Sequence, residues 1–173
     1  MRSIMKIFIL LGSLALFAFA GDAEYEKSVR AVKAMSTEKI ATMVASEIES
    51  NVPIRIDSIT LVDGAYSKKN KLFVSKRVYP SDNKARVKYK DFFKALKSSK
   101  VKRISKMMKG IDAKVVCSDV TMLIFFKKGG SVTYRYVNEK SERLFQYKIK
   151  SGDCKEVFNK DSLKTKSSAE KVL

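Results

Sequence analysis

The side chains best suited to chemistry in this 173-residue chain are two cysteines, a scatter of carboxylates and a dense set of lysines; histidine is absent. That absence removes the commonest general base, the usual nucleophile–base triads and the most frequent metal ligand. Cys117 and Cys154 do not form a C-x-x-C pair and have no imidazole to take a thiol proton, so a reactive thiolate is not expected. Nor does their spacing match a structural zinc site. Glycosidase-type catalysis needs two acids facing each other across a cleft. Asp57, Asp63, Asp91, Asp112, Asp119 and Asp153 instead fall singly along the chain, and their neighbours suggest loops or solvated faces. Serine and lysine are so numerous that a Ser/Lys dyad can be drawn almost anywhere, and it selects nothing. Lys128-Gly129-Gly130 lacks the further glycines and the Lys-Ser/Thr ending of a phosphate loop. The residues therefore argue against an enzyme, a metal or an organic cofactor, and leave binding.

The first twenty residues say where that binding takes place. Arg2 and Lys6 precede an apolar run from Ile7 to Phe19, which ends in Ala18-Phe19-Ala20 before the polar Gly21-Asp22-Ala23-Glu24. A positive start, a short apolar stretch and an A-x-A site form an export signal cleaved after Ala20. The run is shorter than the roughly 20 apolar residues that cross a bilayer. After cleavage no transmembrane anchor is expected, and the location is periplasmic or secreted.

An oxidising compartment gives the two cysteines their reading: Cys117 and Cys154 form a structural disulfide. The domain plan is residues 1–20 as signal, 21–160 as one α+β domain and 161–173 as a flexible basic tail.

Charge is the next signal. Lys+Arg 36 against Asp+Glu 18 gives +18, and loss of Arg2 and Lys6 with the signal leaves +16. Between Lys84 and Lys109 lie Lys84, Arg86, Lys88, Lys90, Lys94, Lys97, Lys100, Lys102, Arg103, Lys106 and Lys109 against Asp91 alone, a local +10. Phe92, Phe93, Leu96, Ile104, Met107 and Met108 supply an apolar face there, so one long helix is expected, capped near Ser81-Asp82-Asn83 and interrupted near Ser98-Ser99. Such a face suits an acidic envelope protein, or an anionic lipid or polysaccharide. An extracytoplasmic nucleic-acid contact is an alternative, weakened because arginine, the better bidentate reader, is scarce beside lysine.

Around this segment the periodicities place the remaining elements. Ala23 to Ser50 is helical, with Thr37-Glu38 as a cap and Ile40, Met43, Val44 and Ile48 as one stripe. Ile54–Val62 reads as a strand, Asp63–Asn70 as a loop, and Leu72–Val78 as the partner strand of a hairpin. Asp119 starts a short helix closed by Gly129. Residues 131–137 and 144–149 form a second hairpin, with Val132, Tyr134 and Tyr136 on one strand facing Phe145, Tyr147 and Ile149 on the other. Tyr134, Tyr136 and Tyr147 are also candidates for an exposed hairpin surface, and a disulfide-stabilised inhibitor of an envelope enzyme is a further alternative function. The fold expected is two-layer α+β, an antiparallel sheet of about four strands in two hairpins packed against helices, with one disulfide.

Overall fold

The computed structural model describes residues 22–155, so the predicted export signal and basic tail lie outside the described residues. Two helices come first, α1 (Asp22–Ala34) and α2 (Thr37–Asn51). The cap of α2 is Ser36, one residue before the expected position, and its hydroxyl accepts from the Lys39 amide at 3.2 Å. Thr37 Oγ1 instead donates to the Lys128 carbonyl at 3.0 Å, a long-range tie. Ile40, Ala41, Ala45 and Ile48 turn inward from α2.

The single strand expected over Ile54–Val62 is two. β1 (Ile54–Arg55) stops before Asp57, whose Oδ1 accepts from the Ile59 amide at 2.7 Å and turns the chain back. Ile54 then pairs with Val62, and Arg55 with Leu61, on β2 (Thr60–Lys68). Asp63–Gly64 is not a loop: β2 continues through it by a register shift between Val62 and Gly64. The Glu49 carboxylate of α2 accepts from the Ala65 amide beside that bulge. The turn shrinks to Lys69–Asn70, with Lys69 at φ 53, before β3 (Lys71–Val78).

The expected long helix is three: α3 (Asn83–Lys88), α4 (Lys90–Leu96) and α5 (Val101–Val116). Asp82 Oδ1 caps the first through the Ala85 amide at 2.8 Å. The break at Ser98–Lys100 is where serine was expected to interrupt, but a second break falls at Tyr89 and α5 runs on past Lys109. Asp119 caps α6 (Val120–Lys127) through the Met122 amide at 2.8 Å. Gly129 at φ 83 ends it. Gly130 is required by contact, since a Cβ there would meet the Phe125 ring at 2.5 Å.

β4 (Ser131–Val137) and β5 (Arg143–Ile149) form the expected hairpin, pairing Val132 with Ile149, Tyr134 with Tyr147 and Tyr136 with Phe145. The sheet has five strands in the order β1-β2-β3-β4-β5, one more than expected, because the folded-back β1 adds an edge. It is mixed rather than antiparallel throughout: β3 and β4 run parallel, Leu72 opposite Val132 and Val74 opposite Tyr134. The passage through α3 to α6 returns the chain to the end from which β3 started, which a tight turn cannot do.

Helices and sheet make two layers around one core. Val62, Leu72, Val74, Val132, Tyr136 and Ile149 from the sheet meet Ile40, Ile48, Val116, Met122, Phe125 and Phe126 from the helices. The Cys117–Cys154 disulfide, with Cα atoms 5.4 Å apart, joins the end of α5 to the 3-10 turn Ser151–Cys154 after β5. Among the described residues no helix is long and apolar enough to cross a membrane.

Candidate functional site

Between α2 and α5 the sheet is incompletely covered, and a cavity of about 290 Å³ opens there. Ile48 of α2 and Ile56 after β1 form one wall; Ile111, Val115 and Val116 of α5 form the other; Val62, Leu72, Val74 and Tyr134 form the floor. The 3.6-residue repeat carries the α5 wall out to solvent, because Met107, Ile111 and Val115 stack at four-residue steps. They are 52%, 49% and 36% exposed, an apolar strip continuous with the cavity.

Two polar features line the groove: the exposed Asp57 at its rim and a buried ion pair in its wall. β3 alternates Val74, Lys76 and Val78 toward the helices, so Lys76 enters the core at 7% exposure. On α5, Ile104, Met108, Asp112 and Val116 follow one another at four-residue steps, which puts Asp112 at 5% exposure opposite it. Lys76 Nζ donates to Asp112 Oδ1 at 2.8 Å, and both residues line the groove. Tyr136 and Tyr147 donate their hydroxyls to Asp112 Oδ2 at 2.9 and 2.5 Å. The ammonium also stands 4.5 Å from the centre of the Tyr134 ring and 5.6 Å from that of Tyr136.

Burial raises the pKa values of Tyr134, Tyr136 and Tyr147 well above the usual phenol range, and the charge on Asp112 adds to the rise in each. These rings stay protonated, so Tyr136 and Tyr147 act as donors that fix Asp112 rather than as bases or nucleophiles. The cluster is a charge-balanced, hydrogen-bonded unit at the base of an apolar groove. Among the described residues no group of three His, Cys, Asp or Glu side chains could hold a metal ion.

The residues expected to form sites fall in different places. Tyr134 and Tyr136 are 4% and 1% exposed, so with half-buried Tyr147 they form no open stacking surface; their cross-strand partners and α5 cover them. Lys84, Arg86, Lys88, Lys90, Lys94, Lys97, Lys100, Lys102, Arg103 and Lys106 are exposed and Lys109 is partly covered. Because three helices share them, they form a broad field rather than one helical face. Arg86 lies 4.0 Å from Glu139 and Lys109 lies 2.7 Å from Asp153. Arg86, Lys90 and Lys97 gather at a separate cleft of about 400 Å³, whose other side carries Glu139 and Glu142.

Sequence reasoning missed Lys76 and Asp112, and placed Asp112 in a solvated position. The signal was present: a lysine between two valines of an alternating strand, and an aspartate in step with an apolar stripe. A charged residue in a core-facing register reads as buried and paired.

No protein-family model matches the chain, and no curated protein matches it. Solved structures do. The pilotin AspS of the Vibrio cholerae type II secretion system matches with a TM-score of 0.50 and 13% identity, over 73% of this chain and 99% of its own. The pilotin EpsS of the Vibrio vulnificus type 2 secretion system gives 0.48 and 14%, over 68% and 91%. A protein of Pseudomonas aeruginosa assigned to the secreted class gives 0.48 and 18%, over 68% and 92%. At this identity the likeness to AspS is one of fold: 73% of this chain follows the path of nearly all of AspS.

Proposed function

We propose that this chain is an exported, non-enzymatic accessory protein of the bacterial cell envelope that holds a partner protein in the groove between α2 and α5. The observation that carries the reading is the strip Met107, Ile111 and Val115, which leaves large apolar side chains in water beside an apolar cavity. An apolar face of this kind gains by being covered. The basic field on α3 to α5 supplies the second half of the reading, because it draws an acidic partner and speeds its approach. A secretion-system pilotin is built on the same fold, and the accessory role is drawn from it by analogy of fold alone.

The test is capture from a cell-envelope extract by the oxidised chain from Gly21 onward, with three forms of the bait. The wild type is expected to retain one acidic protein that is released in part by salt. Ile111→Glu is expected to lose it while remaining folded. The triple change Lys94→Glu, Lys97→Glu, Lys102→Glu is expected to retain it weakly and with little further salt dependence. Undiminished capture by Ile111→Glu would sink the reading. Capture of lipid or polysaccharide alone, insensitive to Ile111→Glu, would place the binding on the basic field instead.

A further inference from the structure

We propose that Lys76 selects the partner of the groove by donating to an uncharged carbonyl on the segment that fills it. The inference rests on the groove reading above and adds the chemistry of the occupant.

Lys76 is more than nine-tenths buried and lines the cavity. A lysine ammonium carries three protons. One is given to Asp112 Oδ1 and one side of the ammonium faces the Tyr134 ring, which leaves donor capacity toward the open groove. Apart from Asp57 at the rim, the rest of the lining is apolar, with Ile48, Val62, Leu72 and Val74 among it. When an occupant excludes water, a spare N–H with no acceptor loses its hydration and gains nothing in return. The bound segment therefore has to bring an acceptor.

Charge balance decides which acceptor. Asp112 already neutralises Lys76, and the two tyrosine hydroxyls on Asp112 Oδ2 hold that carboxylate in place. A carboxylate on the occupant would leave a net negative charge in a low-dielectric cavity, which is costly. A backbone or side-chain carbonyl supplies the same lone pair without the charge. The selection thus runs against the general attraction of this basic protein for anions: acidic groups suit the rim and a neutral group suits the floor.

A polypeptide segment is the occupant favoured by the shape. The cavity opens onto Met107, Ile111 and Val115, and eight residues of helix extend the apolar surface by about 12 Å. The same repeat sets Arg103 and Lys114 beside this strip on its solvent side, where acidic residues flanking an apolar segment would meet them.

Two probes with one apolar body separate the possibilities: N-methylhexanamide, which presents a neutral carbonyl, and hexanoate, which presents a carboxylate. Each is titrated into the oxidised chain from Gly21 onward, and the methyl signals of Ile48, Val74 and Met122 are followed with the Lys76 side-chain nitrogen. The amide is expected to move these signals and to bind about tenfold more tightly than hexanoate. The paired change Lys76→Met with Asp112→Asn removes both charges and leaves an acceptor for the tyrosines, and it is expected to abolish the preference. Hexanoate binding equally well or better would overturn the selection by Lys76 while leaving the groove as a binding site. Neither probe moving the groove methyls would overturn the groove reading and this inference together. Asp57 also lines the cavity and repels a carboxylate, so Asp57→Asn is titrated alongside: the preference for the amide is expected to persist in it, and its loss there would overturn the selection by Lys76.

Discussion

Lys76 and the eleven basic residues from Lys84 to Lys109 are opposite uses of the same chemistry. Lys76 is one buried cation with an ion-pair partner at 2.8 Å, two aromatic faces and an acid fixed by two further hydroxyls. The basic field is a crowd of exposed cations, of which Arg86 and Lys109 reach an acid within 4.0 Å. In water, neighbouring charges are screened and exposed pairs contribute about 0–1 kcal/mol. In the groove, removing one member of the pair strands the other. Charge number marks the field, while charge environment marks the groove.

The sharpest way to break that contrast is Asp112→Ala. It leaves Lys76 and two tyrosine hydroxyls buried without their acceptor and is expected to cost about 3–5 kcal/mol, read by urea unfolding. Replacing the whole pair, Lys76→Met with Asp112→Asn, is expected to cost far less, since no charge is stranded. A loss as large for the paired change as for Asp112→Ala would mean that packing, not charge, dominates the cluster.

Next in size is the disulfide, whose 37-residue separation gives about 4 kcal/mol on the chain-entropy model. Paired Cys117→Ser and Cys154→Ser should lower stability by up to that amount and free the end of α5, so groove binding should weaken along with it.

A smaller effect is expected at Asp119. Burial raises its pKa above 3.8, against the lowering effect of the Met122 and Thr121 amides. A carboxyl with a raised folded-state pKa favours the folded state when protonated, so its contribution falls as pH rises above about 3.8 through the folded value. Asp119→Asn keeps the cap and removes the buried charge; it should stabilise the protein at neutral pH, with the gain shrinking below about pH 4. Asp119→Ala should instead cost about 1 kcal/mol by losing the cap.

The smallest change in stability is expected in the basic field. Lys94→Glu, Lys97→Glu and Lys102→Glu should each alter stability by no more than about 0.5 kcal/mol, since their side chains are solvated. A large loss on unfolding analysis would show that the field is structural after all.

Much of the second hairpin was legible because its determinants are local. Alternation of Val132, Tyr134 and Tyr136 against Phe145, Tyr147 and Ile149 fixes both the inward face and the register, and a slip by one residue would turn every aromatic ring outward. The first hairpin was legible only in outline. A single Asx turn at Asp57 divided its first strand, and a bulge carried β2 through a sequence that resembles a loop. The candidate site was the least legible part, because Lys76 and Asp112 stand 36 positions apart, and the register that marks each as buried does not say which residue it pairs with.

The sequence by itself determined the order of helical and strand regions, though not the breaks that divide the first strand and the long basic helix; it also determined that their apolar faces build a two-layer core and that the charge gathers between Lys84 and Lys109. It does so because hydrophobic period, capping residues and charge counts are written within a few consecutive residues. Tertiary structure decided that β3 and β4 pair in parallel, that Lys76 meets Asp112 and that α5 stands away from α2 far enough to leave a groove. Those outcomes depend on which distant surfaces pack together, and the free energy of that choice belongs to the assembled core rather than to any one segment.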